Sequence, residues 1–179
     1  GSNWVKVETS ERSAWKTTGT AAWEFNVIRF NGTDEIDFFL NGSHIGNTSS
    51  TVSMNNQNTD KPTRIGAGRT EGAVMYFFKG KIDDVAIWDE ALTNAEITEL
   101  YNNGESLYAK ENYGDYTSKD NLTAYYTMDS DNGSGTTLSD DEGSNDGSFN
   151  GEPTWSSDTP GTAPTITSFT PTDDSTFVD

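Results

Sequence analysis

This chain predicts an all-β domain carrying one short helix. Three observations lead there. Apolar and polar residues alternate in short runs, the period of two that a half-buried strand needs. Glycine-bearing turn signals separate those runs. Helical spacing is clear in one short stretch, 93–104.

The strand-like runs fall at 4–8, 23–30, 36–40, 64–67, 74–78 and 81–88. Turns at Asn31-Gly32, Asn41-Gly42, Ala67-Gly68 and Glu71-Gly72 divide them, and the polar stretch 47–61 reads as a loop. The helix opens at Thr93. Thr93 and Glu96 have capping-box spacing, and Leu92 is placed as the hydrophobic staple. Ile97, Leu100 and Tyr101 repeat along one face, and Asn103-Gly104 supplies the stop. A further strand begins in Asn121-Leu122-Thr123-Ala124-Tyr125-Tyr126, followed by a run rich in Asp, Asn, Gly and Ser. Three parts result: strands over 1–107, an acidic segment over 108–160, and a linker-like end over 161–179.

The string over 76–104, YFFKGKIDDVAIWDEALTNAEITELYNNG, closely resembles the C-terminal signature of laminin-G-like, concanavalin A-like domains. There a G-x-I-D-D-V strand leads into an A-L-x-x-x-E-I-x-x-L-Y helical turn. Residues 23–45, WEFNVIRFNGTDEIDFFLNGSHI, resemble the family's W-x-x-V/I hairpin, and Arg64-Ile65-Gly66 its short I-G strand. The resemblance implies a two-sheet antiparallel jelly-roll sandwich of the concanavalin A-like type, with the short helix near the C-terminal signature. Residues 121–155 resemble the family's N-terminal segment, which here trails instead of leading. Two arrangements follow. The segment is an appendage packing on the sandwich, or it opens a second copy and leaves an edge that pairs between molecules. Residues 161–179, GTAPTITSFTPTDDSTFVD, resemble the start of a bacterial immunoglobulin-like repeat and imply a modular parent chain with neighbouring domains.

Charge and composition narrow the function classes. The formal net charge is −18, distributed unevenly: 14 acidic against 9 basic residues up to Gly104, then 15 against 2. Such a surface repels nucleic acid and anionic lipid. No run of about 18 apolar residues is present, so membrane insertion is not expected. The N-terminus lacks a charged-then-apolar signal pattern, and Gly1-Ser2 reads as an expression scar. With no cysteine, neither a disulfide framework nor a thiolate metal site can form.

The candidate chemistry is sparse. In a regular strand Asp83, Val85 and Ile87 share one face, which would turn Asp83 inward with two core residues. By the resemblance, Asp83 on the last strand and Asp129 on the family-like first strand are the metal ligands, with structural Ca²⁺ as the ion; a hydrogen-bonded aspartate pair without metal is the other reading. Residues 129–147 are dense in Asp, Asn and Gly but fail EF-hand spacing, so they read chiefly as turns. Laminarinase-type hydrolases of this fold carry E-x-D-x-x-E on one strand; here Glu35 and Asp37 are followed by Leu40, so the third acid is missing. His44, the single histidine, reads as a surface residue at a hairpin. Five Asn-x-Ser/Thr triplets have sequon form, which turn chemistry in so Asn-rich a chain explains. Trp15 is the best exposed sugar-stacking candidate, with the Asn-rich loop 47–60 as a possible rim, and Trp23, Trp88 and Trp155 are expected buried.

The expected function is non-catalytic: a ligand-binding or adhesion module, carbohydrate-directed, in an extracellular, cell-surface or virion protein. The alternatives are a structural spacer or decoration module of such an assembly, and a glycoside hydrolase fragment. No ligand-binding residue is assigned from the sequence.

Overall fold

The computed structural model describes residues 23–32, 35–49, 63–70, 73–75, 77–78, 80–105, 107–129, 133–134, 136–149, 154–156 and 160. The strand run at 4–8, Trp15, the Asn-rich part of the loop beyond residue 49 and the segment 161–179 lie outside them. Within them the chain is mostly antiparallel strand with one short α-helix.

Strands β1 (Asn26–Phe30), β2 (Glu35–Leu40) and β3 (Ser43–Ser49) form a meander in that order. The β2–β3 turn is built by Asn41 and Gly42, both left-handed at φ 49° and 73°, the geometry an Asn-Gly hairpin supplies. Asn41 also accepts from the Phe25 N–H at 2.9 Å, tying the turn to the approach to β1. Strand β3 runs to Ser49, beyond the start of the expected loop at 47. A bulge between Phe38 and Phe39 sets Gly46 opposite Phe38 and His44 opposite Phe39, leaving Ile45 unpaired.

Strands β4 (Gly68–Thr70) and β5 (Ala73–Met75) pair as a short hairpin. The expected strand at 64–67 is instead a bend: Gly66 is left-handed at φ 76°, and pairing begins only after it. Strand β6 (Val85–Trp88) is shorter than the run read from the sequence. Asp84 takes φ 50°, a conformation that breaks the alternation, so Asp83 does not continue the strand's face. A register shift between Ile87 and Trp88 follows, and Ile87 is exposed rather than a core residue. Trp88 and Ala86 pack inward instead.

Helix α1 (Asn94–Tyr101) forms as its capping signals dictate. Thr93 is the N-cap, and the reciprocal bonds with Glu96 are both present. Leu92 and Ile97 share one buried cluster, completing the staple. The stop arrives one residue before Asn103-Gly104: Asn102 is the left-handed C-cap, and Asn103 and Gly104 continue in left-handed geometry.

Beyond this reversal, residues 107–121 run without long elements into β7 (Leu122–Tyr126), which pairs antiparallel with β6. Strands β8 (Gly133–Ser134), β9 (Thr137–Leu138) and β10 (Gly147–Ser148) make a small meander. The largest buried cluster lies between the β1–β2 face and α1: Phe39, Leu92, Ile97, Leu100 and Tyr116. On the opposite face of β1, Ile28 is 73% exposed.

Candidate functional site

The residues predicted to hold a metal meet at one end of the β6–β7 pair. Register places Val85 opposite Tyr126, so Asp83-Asp84 leave β6 where Thr127, Met128 and Asp129 leave β7. Both chains bend sharply there. Asp84 and Met128 have φ 50° and 58°, and a left-handed backbone is unfavourable for any non-glycine residue, more so for methionine than aspartate. Paired outliers bracketing an acidic edge are the kind of local strain that marks functional positions.

Electrostatics couple the edge. Asp83 is half-buried and its carboxyl is pushed up to about 6: burial is the main cause, and the charges of Asp84 and Asp129 add to it. The structure therefore brings Asp83 and Asp129 into mutual electrostatic reach. Asp84 is held separately, its Oδ1 accepting from the Tyr125 hydroxyl at 2.5 Å. Burial, together with that carboxylate, raises the Tyr125 phenol well above its ordinary range. Over Tyr125 stands Tyr108, edge to face at 5.4 Å between ring centroids and 43% exposed. Nothing in the local sequence around Tyr108 marked it, because its contact with Tyr125 spans a chain reversal.

Could this edge take a cation? Among the described residues no group of three or more His, Cys, Asp or Glu side chains is arranged to hold a metal ion. Two carboxylates are oxygen donors of the type Ca²⁺ takes, but Ca²⁺ needs six to eight oxygens in all. Main-chain carbonyls and water would have to supply the remainder. The donor chemistry fits; the carboxylate count is low.

Asp140 and Asp37 are already engaged. Asp140, in the stretch dense in Asp, Asn and Gly, is 7% exposed and accepts from the backbone N–H groups of Tyr125 (2.9 Å), Glu142 (3.1 Å) and Asn145 (3.0 Å). Burial would raise its carboxyl, but these donors outweigh it and hold it at about 2. That stretch folds as turns and the short β8–β10 meander. It is tied to β7 by the Asp140 carboxylate, by the Asp141 N–H donating to Tyr125 O, and by Asn145, which donates to Thr123 O and accepts from the Tyr126 hydroxyl. Asp37 is engaged as well. Arg29 Nε and Nη2 donate to its Oδ2 at 3.0 and 2.8 Å, and His44 Nε2 lies 3.0 Å from its Oδ1. Burial acts upward on Asp37, yet Arg29 and His44 leave it below the ordinary carboxylate range. Arg29 also donates to Leu92 O and Asn94 Oδ1, both at 2.8 Å, so the ion pair clamps the sheet to the entry of α1. Glu35 and Asp37 thus sit in a structural hairpin, with Leu40 where a third acid would stand. His44, expected as a plain surface residue, belongs to this cluster.

Of the tryptophans, Trp88 is partly buried and donates to the Tyr116 hydroxyl at 2.9 Å. Trp155 was expected buried but is 42% exposed, packing edge-on against Phe149. No helix among the described residues is long and apolar enough to cross a membrane.

Comparison with protein families places residues 2–98 in a match to the family model described as the concanavalin A-like lectin/glucanases superfamily. Comparisons with curated proteins and with solved structures found no match.

Proposed function

Because this chain belongs to the concanavalin A-like lectin/glucanase superfamily, we propose that it is a non-catalytic, carbohydrate-binding module of a modular surface or virion protein acting outside the cell. The family membership carries the reading, and the acidic edge of β6–β7 gives it a location. Tyr108 offers an exposed ring on which a pyranose face can stack. Tyr108 packs on Tyr125, whose hydroxyl donates to Asp84 of this edge, and Asp83 and Asp129 can accept from sugar hydroxyls or hold a calcium ion. When bound, calcium would neutralise the two carboxylates and offer coordination to vicinal hydroxyls. Asp84 is fixed by Tyr125 and serves to hold the edge in shape. The internal commitment of Asp37 favours the non-catalytic reading, since its Oδ2 holds the Arg29 clamp on α1 and its Oδ1 meets His44 on β3.

The test is a glycan array run with Ca²⁺ and again with EDTA, using the intact chain and Tyr108→Ala. Saturable binding to a glycan class, weakened about tenfold or more by Tyr108→Ala, supports the site. Absence of any saturable glycan favours the structural spacer, and hydrolysis of a β-glucan lost on Glu35→Gln would establish a hydrolase instead.

A further inference from the structure

The family match ends at residue 98, yet the core does not. Tyr116, with no exposed surface, sits in the same cluster as Phe39, Leu92, Ile97 and Leu100. Its hydroxyl accepts from Trp88 Nε1 at 2.9 Å and donates to Ala109 O at 2.7 Å. Two residues on, Ser118 Oγ donates to Glu96 Oε1 at 2.5 Å, and the Thr117 N–H reaches the same oxygen at 3.3 Å. Glu96 is a carboxylate only 5% exposed, inside the helix that ends the matched region. Asn121 exchanges bonds with Asp89 through backbone and side chain, and β7 then covers the edge of β6 along Val85–Trp88.

Every one of these contacts comes from one contiguous stretch, 107–126, beyond the left-handed reversal at Asn102, Asn103 and Gly104. The contacts combine a buried aromatic anchor, a desolvated carboxylate with specific donors, and strand addition to a sheet edge. Those are the recognition devices of a protein–peptide interface. Removing the stretch would leave Glu96 buried without Ser118 and Thr117, Trp88 without its acceptor, and β6 without its pairing partner.

We propose that the surface formed by the β6 edge, Trp88, Glu96 and Ile97 is a docking groove specific for the 107–126 segment, and that the covalent tether is dispensable for occupancy. The matched region is then incomplete alone, and the segment acts as its obligate ligand. A second copy of the chain can supply the same ligand, because the groove reads side chains and strand edge rather than connectivity.

To test this, a protease site is inserted after Gly104 in the full chain, and the purified protein is cut. The expected result is that both pieces co-elute and keep a cooperative unfolding transition, whose midpoint now depends on concentration. Cut protein carrying an isotope label should exchange its segment with unlabelled cut protein, giving mixed species by native mass spectrometry. Tyr116→Ala in the segment should weaken re-association by about 30-fold or more, and the milder Ser118→Ala by about threefold to tenfold. Pieces that separate on cutting would overturn the proposal. So would an N-terminal piece that keeps its own transition after the segment is removed, or variants that associate as tightly as the unaltered segment.

Discussion

Two sets of carboxylates in this molecule behave in opposite ways. Glu96 and Asp140 are buried among N–H and O–H donors, which hold both below their ordinary pKa. Asp83 sits near Asp84 and Asp129, where burial and like charge push it up to about 6. Residue type is the same in both places; the surrounding donors decide the role. An acid whose bonding capacity is met internally is part of the framework, whereas mutually repelling acids gain from an incoming cation or hydroxyl. The acidity of this chain is therefore not one property but two.

The comparison breaks most visibly at the framework. Tyr116→Ala removes a fully buried ring and both bonds of its hydroxyl, and should cost about 3–5 kcal/mol in denaturant unfolding. Glu96→Ala leaves Ser118 and Thr93 without their acceptor, and should cost about 2–3 kcal/mol, with α1 fraying from its N-terminus by circular dichroism.

Acid titration sharpens the contrast, because the two sets have opposite sign. Asp140 has a folded pKa of about 2 against an ordinary 3.8. Its stabilisation is present above pH 4 and lost as pH falls toward 2, about 2 kcal/mol in all. Asp140→Asn should flatten that part of the stability–pH curve. Asp83 is raised, so its ionisation works against folding: the penalty is absent below about pH 4 and complete above about pH 6. In EDTA, Asp83→Asn should therefore stabilise slightly at pH 8, by about half a kcal/mol after solvent screening, and not at all at pH 4. If Asp83→Asn destabilises at pH 8 in EDTA, the repulsive edge has been misread.

Local signals were legible where one turn or one cap decides the geometry. The Thr93–Glu96 box and the Leu92 staple gave α1 at once. The Asn41-Gly42 turn fixes Leu40 opposite Ser43 and Phe39 opposite His44 by counting outward. The first hairpin closes over a longer loop, so the same count about Asn31-Gly32 would have set Arg29 opposite Asp34; the true partner is Asp37, and the Arg29–Asp37–His44 cluster was legible only on its β3 side. Other features were not. Period-two alternation over 81–88 pointed Ile87 inward, but a left-handed Asp84 and a register shift turned it out. Glycine-rich 64–68 offered a strand pattern that Gly66 broke. Tyr108 and Tyr116 act through partners in distant parts of the chain, which no local period encodes. The approach of Asp129 to Asp83 came from family resemblance, not from spacing.

The reading of the β6–β7 edge as a receptive, calcium-dependent site is tested most directly by thermal unfolding at fixed ionic strength in EDTA, Ca²⁺ and Mg²⁺. A native-state site must raise the melting temperature by mass action, by about 2.7 kcal/mol of stability at a hundredfold excess over the dissociation constant. The expected result is a Ca²⁺-specific rise in the unaltered chain that Asp83→Asn and Asp129→Asn each abolish. An unchanged melting temperature, or an equal rise with Mg²⁺, would contradict it.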